Sequence, residues 1–276
     1  VAQAQDGRQK VYAIGGSVFA LMEDAGGGIW ASCRNGVFKV SGGGAERQPG
    51  LVSPLDTSWN VLSGDASGRL WVVDSTGLKQ VRDGGARMMV PNSSPAGSIL
   101  TALAGRGGEI WLGTSNGLFR LGRAGGADPH PLAGVKGPVV SLLEDRDGNL
   151  WAGTWGHGLY RVAGGTVERW SGGDGLPDDF VRTLAEDSEG NLWIGMRSGG
   201  LGRWQQPRLV PYGTPEGLQG NYATTAVMDP SGVLWLGTWR GGLYKQSGGR
   251  LDPQQTPLPV SRFTVRAMAF DRTGRP

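Results

Sequence analysis

Two histidines and one cysteine, Cys33, are too few for a convincing zinc set. No phosphate-binding loop, nucleophile elbow or HExxH pair is present. The groups best suited to chemistry are aromatic and charged residues in a few short segments. Trp155 and His157 flank Gly156, Arg197 precedes Ser198, and Trp239 precedes Arg240. Arg34 holds the corresponding place near the chain start. Trp59 and Asn60, Asp178 and Asp179, and Asn221 and Tyr222 form a second set. Aromatic faces stack on sugar rings or flat apolar groups, and arginine forks onto carboxylates or phosphates. This chemistry is that of binding a small molecule or oligosaccharide. No metal and no cofactor is expected. The acidic runs Glu144-Asp145-Arg146-Asp147 and Glu186-Asp187-Ser188-Glu189 look like metal ligands, but similar runs recur along the chain, which argues for turns. Two carboxylates meeting from distant segments could still hydrolyse a glycoside, and sequence leaves that open.

The segments sit on a repeat. Trp30, Trp71, Trp111, Trp151, Trp193 and Trp235 stand 41, 40, 40, 42 and 42 residues apart. Each follows Ile or Leu, and each has Gly three positions earlier. Asp stands six positions earlier at 24, 65, 145, 187 and 229, with Gly105 the exception. In the clearest unit, Val139 to Glu144 reads as an inner strand and Asp145 to Gly148 as a turn. Leu150 to Thr154, Leu159 to Val162 and Thr166 to Trp170 read as three further strands. Four short strands per unit of this length is the β-propeller pattern. The marker tryptophans read as wedges between neighbouring sheets. Gly113, Gly153, Gly195 and Gly237, two places on, leave room for a close neighbour. Cys33 reads as a small apolar filler.

The units span about 18–58, 59–98, 99–138, 139–180, 181–222 and 223–264, with a partial unit at 265–276. Val265 to Phe270 matches an inner strand, and Gln9 to Ile14 matches an outer one. The expectation is one all-β domain over 1–276, a seven-bladed propeller whose last blade is incomplete and borrows the N-terminal strand 9–14. Seven units need more residues than the 276 present, so the natural chain is expected to continue.

In such a blade, the loops after the second strand share a face with the segments before the inner strand. All the candidate residues fall on that face. The fourth residue after each marker is Arg34, Ser75, Ser115, Trp155, Arg197 or Trp239. The closing glycine comes six after the Trp in units one to three, and seven after it at Gly158, Gly200 and Gly242. Three adjacent blades therefore carry longer loops. Each candidate also has a plainer reading: Trp155 and Trp239 as caps on the seams between blades, His157 as a satisfied surface residue, the others as turn residues.

Gly is abundant at 51 residues and Trp at 11, the net charge is +3, and no basic run or long apolar stretch occurs. Nucleic acid is excluded as an expected partner, as is a membrane contact by this segment. The small-residue start, Val-Ala-Gln-Ala-Gln, is like the tail of a removed export signal.

Units such as VVSLLEDRDGNLWAGTWGHGLYRV, with the spacers WSGGDGLPDDF and GTPEGLQGNY, resemble the two-component-regulator propeller repeat. The resemblance implies a periplasmic sensing domain of a histidine kinase or diguanylate cyclase, anchored through a later membrane helix. It implies a small-molecule or oligosaccharide ligand, signalling domains of the same chain as partners, a homodimer as one compatible arrangement, and no catalysis by the propeller itself. Two other readings stand beside it: a secreted hydrolase or lyase acting on carbohydrate, and a scaffold for protein partners.

Overall fold

The computed structural model describes residues 2–5, 8–11, 14, 17–24, 26–41, 44–52, 62–65, 68–82, 85–122, 129–205, 208–220, 222–254 and 264–271. The chain divides into two compact units, Val1–Val139 with Ala269–Pro276, and Val140–Met268.

The first unit holds three four-stranded sheets. Blade 1 comprises Val18–Glu23, Ile29–Cys33, Gly36–Ser41 and Gly44–Arg47. Blade 2 comprises Leu62–Gly64, Leu70–Asp74, Gly77–Arg82 and Gly85–Pro91. Blade 3 comprises Ile99–Ala104, Ile110–Thr114, Gly117–Leu121 and His130–Pro131. The second unit carries the next three. Blade 4 comprises Val139–Glu144, Leu150–Thr154, Leu159–Ala163 and Thr166–Trp170. Blade 5 comprises Val181–Glu186, Leu192–Met196, Leu201–Gln205 and Arg208–Tyr212. Blade 6 comprises Ala223–Met228, Leu234–Thr238, Gly242–Ser247 and Arg250–Pro253. In every sheet, strands adjacent in the chain are adjacent in space.

The fold is thus an all-β propeller of four-stranded blades, with six blades among the described residues. This corrects the expectation of seven with the last incomplete. Val265 to Phe270, expected as a seventh inner strand, forms no strand. The Val265 N–H donates to the Thr238 carbonyl and its own carbonyl accepts from Thr224 Oγ1, which ties it to blade 6. A strand needs a ladder, which these bonds do not make. Of the outer strand expected at 9–14, residues 12 and 13 lie outside the described residues. Arg8–Val11 pairs with Ala2–Gln5 in a two-stranded sheet of its own.

The marker tryptophans organise each blade from inside. The indole N–H of Trp30, Trp71, Trp151, Trp193 and Trp235 donates to Asp24, Asp65, Asp145, Asp187 and Asp229, at 2.8 to 3.1 Å. The other oxygen of each carboxylate accepts the backbone N–H four residues on, closing the turn. The acidic runs are therefore turn-builders. A cation covers each of these rings: Lys39 at 5.3 Å, Arg69 at 5.9 Å, Arg161 at 5.7 Å, Arg203 at 5.6 Å and Lys245 at 5.3 Å. Four of these cations come from the residue directly opposite the Trp on the third strand. Between blades 4 and 5, Trp151 stacks on Trp170 at 5.6 Å, and Trp204 meets Trp170 edge-on at 4.8 Å.

Close approach explains the small residues two places after the markers. A Cβ on Gly153 would lie 2.6 Å from Val181 of the next blade, and one on Gly195 would lie 2.9 Å from Ala223. Cys33 is buried with Ile14, Ala31 and Val40, and burial pushes its thiol up to about 11. Blade 2 departs from the pattern. Asp74 stands where blades 3, 4 and 6 carry Thr, and it holds the buried Lys79 at 2.6 Å.

Gly195→Ala forces its methyl to within 2.4 Å of Thr183. It is expected to cost about 1–3 kcal/mol, read from the shift in denaturant midpoint at unchanged slope.

Burial opposes ionisation of Asp24, but its bonds from Lys39, Trp30, Gly28 and Gly26 prevail and hold its pKa at about 2 against an ordinary 3.8. The stability it supplies is present above about pH 4 and is withdrawn as pH falls through about 2. Asp24→Asn is expected to destabilise at neutral pH and to flatten the acid limb of a stability–pH curve measured by circular dichroism.

Candidate functional site

The site lies in the second unit, where loops leave the second strands of blades 4, 5 and 6. Each longer loop ends on a glycine with φ of 82° (Gly158), 71° (Gly200) or 86° (Gly242). In the shorter loops, Gly36, Gly77 and Gly117 sit at 122° to 142°, a different turn. Gly158 is also fixed by space, since a Cβ there would lie 2.1 Å from the Trp170 carbonyl. In blade 6 the extra residue is Arg240, exposed and held at φ 59°.

The segments before the inner strands are set by two similar spacers. Gly172–Asp174 and Thr214–Glu216 each form one turn of 3-10 helix. Asp174 accepts from the Ser171 N–H, and Glu216 accepts from the Gly213 N–H. Buried Leu176 and Leu218, just past these turns, anchor the spacers to the core. Asp178 then accepts N–H bonds from Phe180 at 3.0 Å and Ser198 at 2.5 Å. Asp179 accepts from the Gly172 N–H through its carboxylate, and from Gly156 and Gly158 through its carbonyl. These two acids pin the loops of blades 4 and 5 together.

On this frame stands a row of alternating rings and guanidinium groups. Trp155 meets Phe180 edge-on at 5.1 Å. Arg197 lies over both, at 5.4 and 5.2 Å. Arg182 lies between Trp155 at 5.8 Å and Tyr222 at 4.9 Å, and its Nη1 donates to the Tyr222 hydroxyl oxygen. Tyr222 abuts Trp239 at 5.8 Å, and Arg266 covers Trp239 at 5.3 Å. Arg182 is buried, whereas Arg197 and Trp239 are exposed, Trp239 at 40%. Burial pushes the Arg182 guanidinium below its ordinary value, the Tyr222 oxygen opposes this, and the charges of Arg266 and Arg197 push the same way as burial. The charges of Arg197 and Arg266 both reach Arg182.

The structure brings together four sequence candidates: Trp155, Arg197, Tyr222 and Trp239. Asp179 serves the frame. Arg240 extends to solvent beside Trp239. His157 is half-buried, its N–H bound to Thr154 Oγ1 and its carbonyl to Arg169, and its buried Nδ1 has no hydrogen-bond partner among the described residues. Arg34 belongs to the first unit and is exposed. Trp59, Asn60 and Asn221 fall outside the described residues.

Arg182, Arg266 and Phe180 are site residues that the sequence reading passes over. Arg182 is the second residue of its inner strand, where the pairing register skips between Val181 and Thr183. It is the extra residue of a β-bulge, a device that re-aims a side chain. The same slot holds Phe19, Leu100, Val140 and Thr224 in other blades. A charge in a mostly apolar slot was the available signal.

Residues 135–156, 175–198 and 217–240 match the two component regulator propeller family. These segments contain every member of the row except Arg266. No curated protein sequence matches the chain significantly. Among solved structures, virginiamycin B lyase from Staphylococcus aureus superposes with a TM-score of 0.73 at 13% identity, covering 90% of this chain and 88% of the enzyme. A catalytically inactive variant of that lyase with quinupristin gives 0.71 at 12% identity, covering 94% and 92%. The extracellular domain of a B. thetaiotaomicron protein described as a hybrid two component system gives 0.69 at 16% identity, covering 94% of this chain but 38% of that one.

At these identities the likeness establishes the fold. The chain is a β-propeller related to two-component regulator propellers and sharing its architecture with lyases. The expectation of no catalysis by the propeller does not stand as drawn, because lyases share this fold over 88% and 92% of their chains. No helix among the described residues is long and apolar enough to cross a membrane.

Trp239 and Trp151 separate site from scaffold. Trp151→Ala is expected to cost about 3–5 kcal/mol, since its ring is buried against two other tryptophans. Trp239→Ala is expected to cost less than about 1 kcal/mol, both read by chemical denaturation.

Proposed function

We propose that blades 4 to 6 bind an acidic oligosaccharide on this loop face and cleave it by lyase-type elimination. The observation that carries this is the row of three arginines interleaved with Phe180, Trp155, Tyr222 and Trp239. Rings offer stacking planes for sugars, and guanidinium groups suit carboxylates. In elimination the hydrogen beside a carboxylate is lost as a proton. Its electron pair forms a C=C bond while the glycosidic C–O bond breaks, and the departing oxygen takes up a proton. An arginine on the carboxylate offsets the negative charge that builds there. His157, two residues from Trp155 in the blade 4 loop, is the proton carrier in this reading. The likeness to lyases supports the reaction class.

The family match over the three site-bearing blades favours a second reading, an extracytoplasmic sensing module that binds the same ligand without turnover. Its signalling partners would lie elsewhere in a longer protein.

Oligomers of galacturonate and glucuronate, with neutral oligomers as controls, separate the readings. Calorimetry is expected to show binding of acidic oligomers, lost in the triple variant Trp155→Ala, Arg197→Ala, Trp239→Ala. Unsaturated products, read by ultraviolet absorbance and mass, establish the lyase. Binding without product leaves the sensor, and no binding of any acidic oligomer sinks both.

A further inference from the structure

The contact between Arg182 and Tyr222 fixes the polarity of the row. A guanidinium only donates hydrogen bonds. Arg182 Nη1 donates to the Tyr222 oxygen, so that oxygen is the acceptor in their bond. The hydroxyl's own hydrogen must then point away from Arg182. The tyrosine's other ring neighbour is Trp239, itself covered by Arg266. Trp239 is 40% exposed, so this end of the row opens to solvent. Farther along, Arg197 is exposed, makes ring contacts to Trp155 and Phe180, and forms no ion pair among the described residues. Tyr222 and Arg266 lie half-buried beside the exposed Trp239 ring.

We infer that the Tyr222 hydroxyl and the Arg266 guanidinium, beside the Trp239 ring, form a subsite for one oxyanion group, a carboxylate, sulfate or phosphate carried by a small ligand. Arg182 is a positioning residue. It does not meet the anion but holds the Tyr222 oxygen, leaving the hydroxyl hydrogen for the ligand. Arg197 contributes charge from the other end. The inference rests on the proposed function for its choice of face, but not for the sugar. A bare oxyanion has the required chemistry.

The test uses the full chain, with inorganic sulfate and sodium glucuronate as probes and tryptophan fluorescence as readout. Saturable binding is expected for both. Tyr222→Phe keeps the ring and removes the donated hydrogen, and is expected to weaken binding about tenfold. Arg266→Gln is expected to weaken it similarly. Arg250→Gln, at an exposed site on the outer strand of blade 6, is expected to leave it unchanged. Arg182→Lys keeps a buried cation without the planar fork, and is expected to narrow the difference between wild type and Tyr222→Phe. Circular dichroism confirms that each variant is folded. Equal sulfate affinity in wild type, Tyr222→Phe and Arg266→Gln overturns the subsite, as does the absence of a saturable response. Sulfate binding that depends on Tyr222, with no binding of acidic oligomers, supports the subsite and overturns the sugar. Oligomer binding indifferent to both substitutions does the reverse.

Discussion

The bond from a tryptophan N–H to an aspartate six residues earlier is the interaction on which each of five blades depends. A large ring is worth burying for its apolar area, but its N–H must find an acceptor inside. The aspartate supplies one oxygen for that and commits the other to the turn between the first two strands. Turn geometry and inter-sheet packing are thereby tied to one carboxylate. The turn cannot open without leaving the ring's polar edge without its acceptor. The cation over the ring completes the arrangement, since Lys39 bonds the same aspartate that holds Trp30. Blade 3 is the exception. Gly105 offers Trp111 no carboxylate.

Because these bonds hold the turn end of five blades, the opposite end is free to vary. The loops after Thr154, Met196 and Thr238 carry little of the burial that stabilises the sheets. One extra residue could be accommodated in each, at the cost of a glycine with positive φ, or of Arg240 taking that conformation. Arg182 is placed by a different device. A bulge interrupts the inner strand at its second residue, where side chains need not follow the alternation of the ladder. Arg182 uses that freedom to reach Tyr222 of the next blade.

Periodic features were legible in the sequence because each has a local cause. Trp, Asp and Gly at fixed offsets encode turn and wedge within one unit, so repetition exposes them. The blade count was not, because pairing decides it. Val265 to Phe270 repeats the letters of an inner strand yet lacks a ladder, and Arg8–Val11 pairs with its own neighbour instead. Of the site, the loop residues Trp155, Arg197 and Trp239 stand out by unequal spacing. Arg182 does not, because averaging an inner strand over six copies hides the one that differs. The outlying letter within the average is the informative one.

The same division limits what the fold says about activity. The repeat that matches a regulator family contributes the turns and wedges, and those residues are occupied with one another. Lyases and the extracellular domain of a hybrid two component system share that scaffold at 12–16% identity, so the scaffold cannot choose between them. The choice rests with residues outside the repeated bonds, and here those are the arginines and rings of blades 4 to 6. A buried guanidinium such as Arg182 costs stability through desolvation, which its stacking rings and the tyrosine oxygen offset in part. A blade built for packing alone would place Val or Leu there, as blades 3 and 4 do. The charge in that slot is where this propeller departs from what its own folding requires.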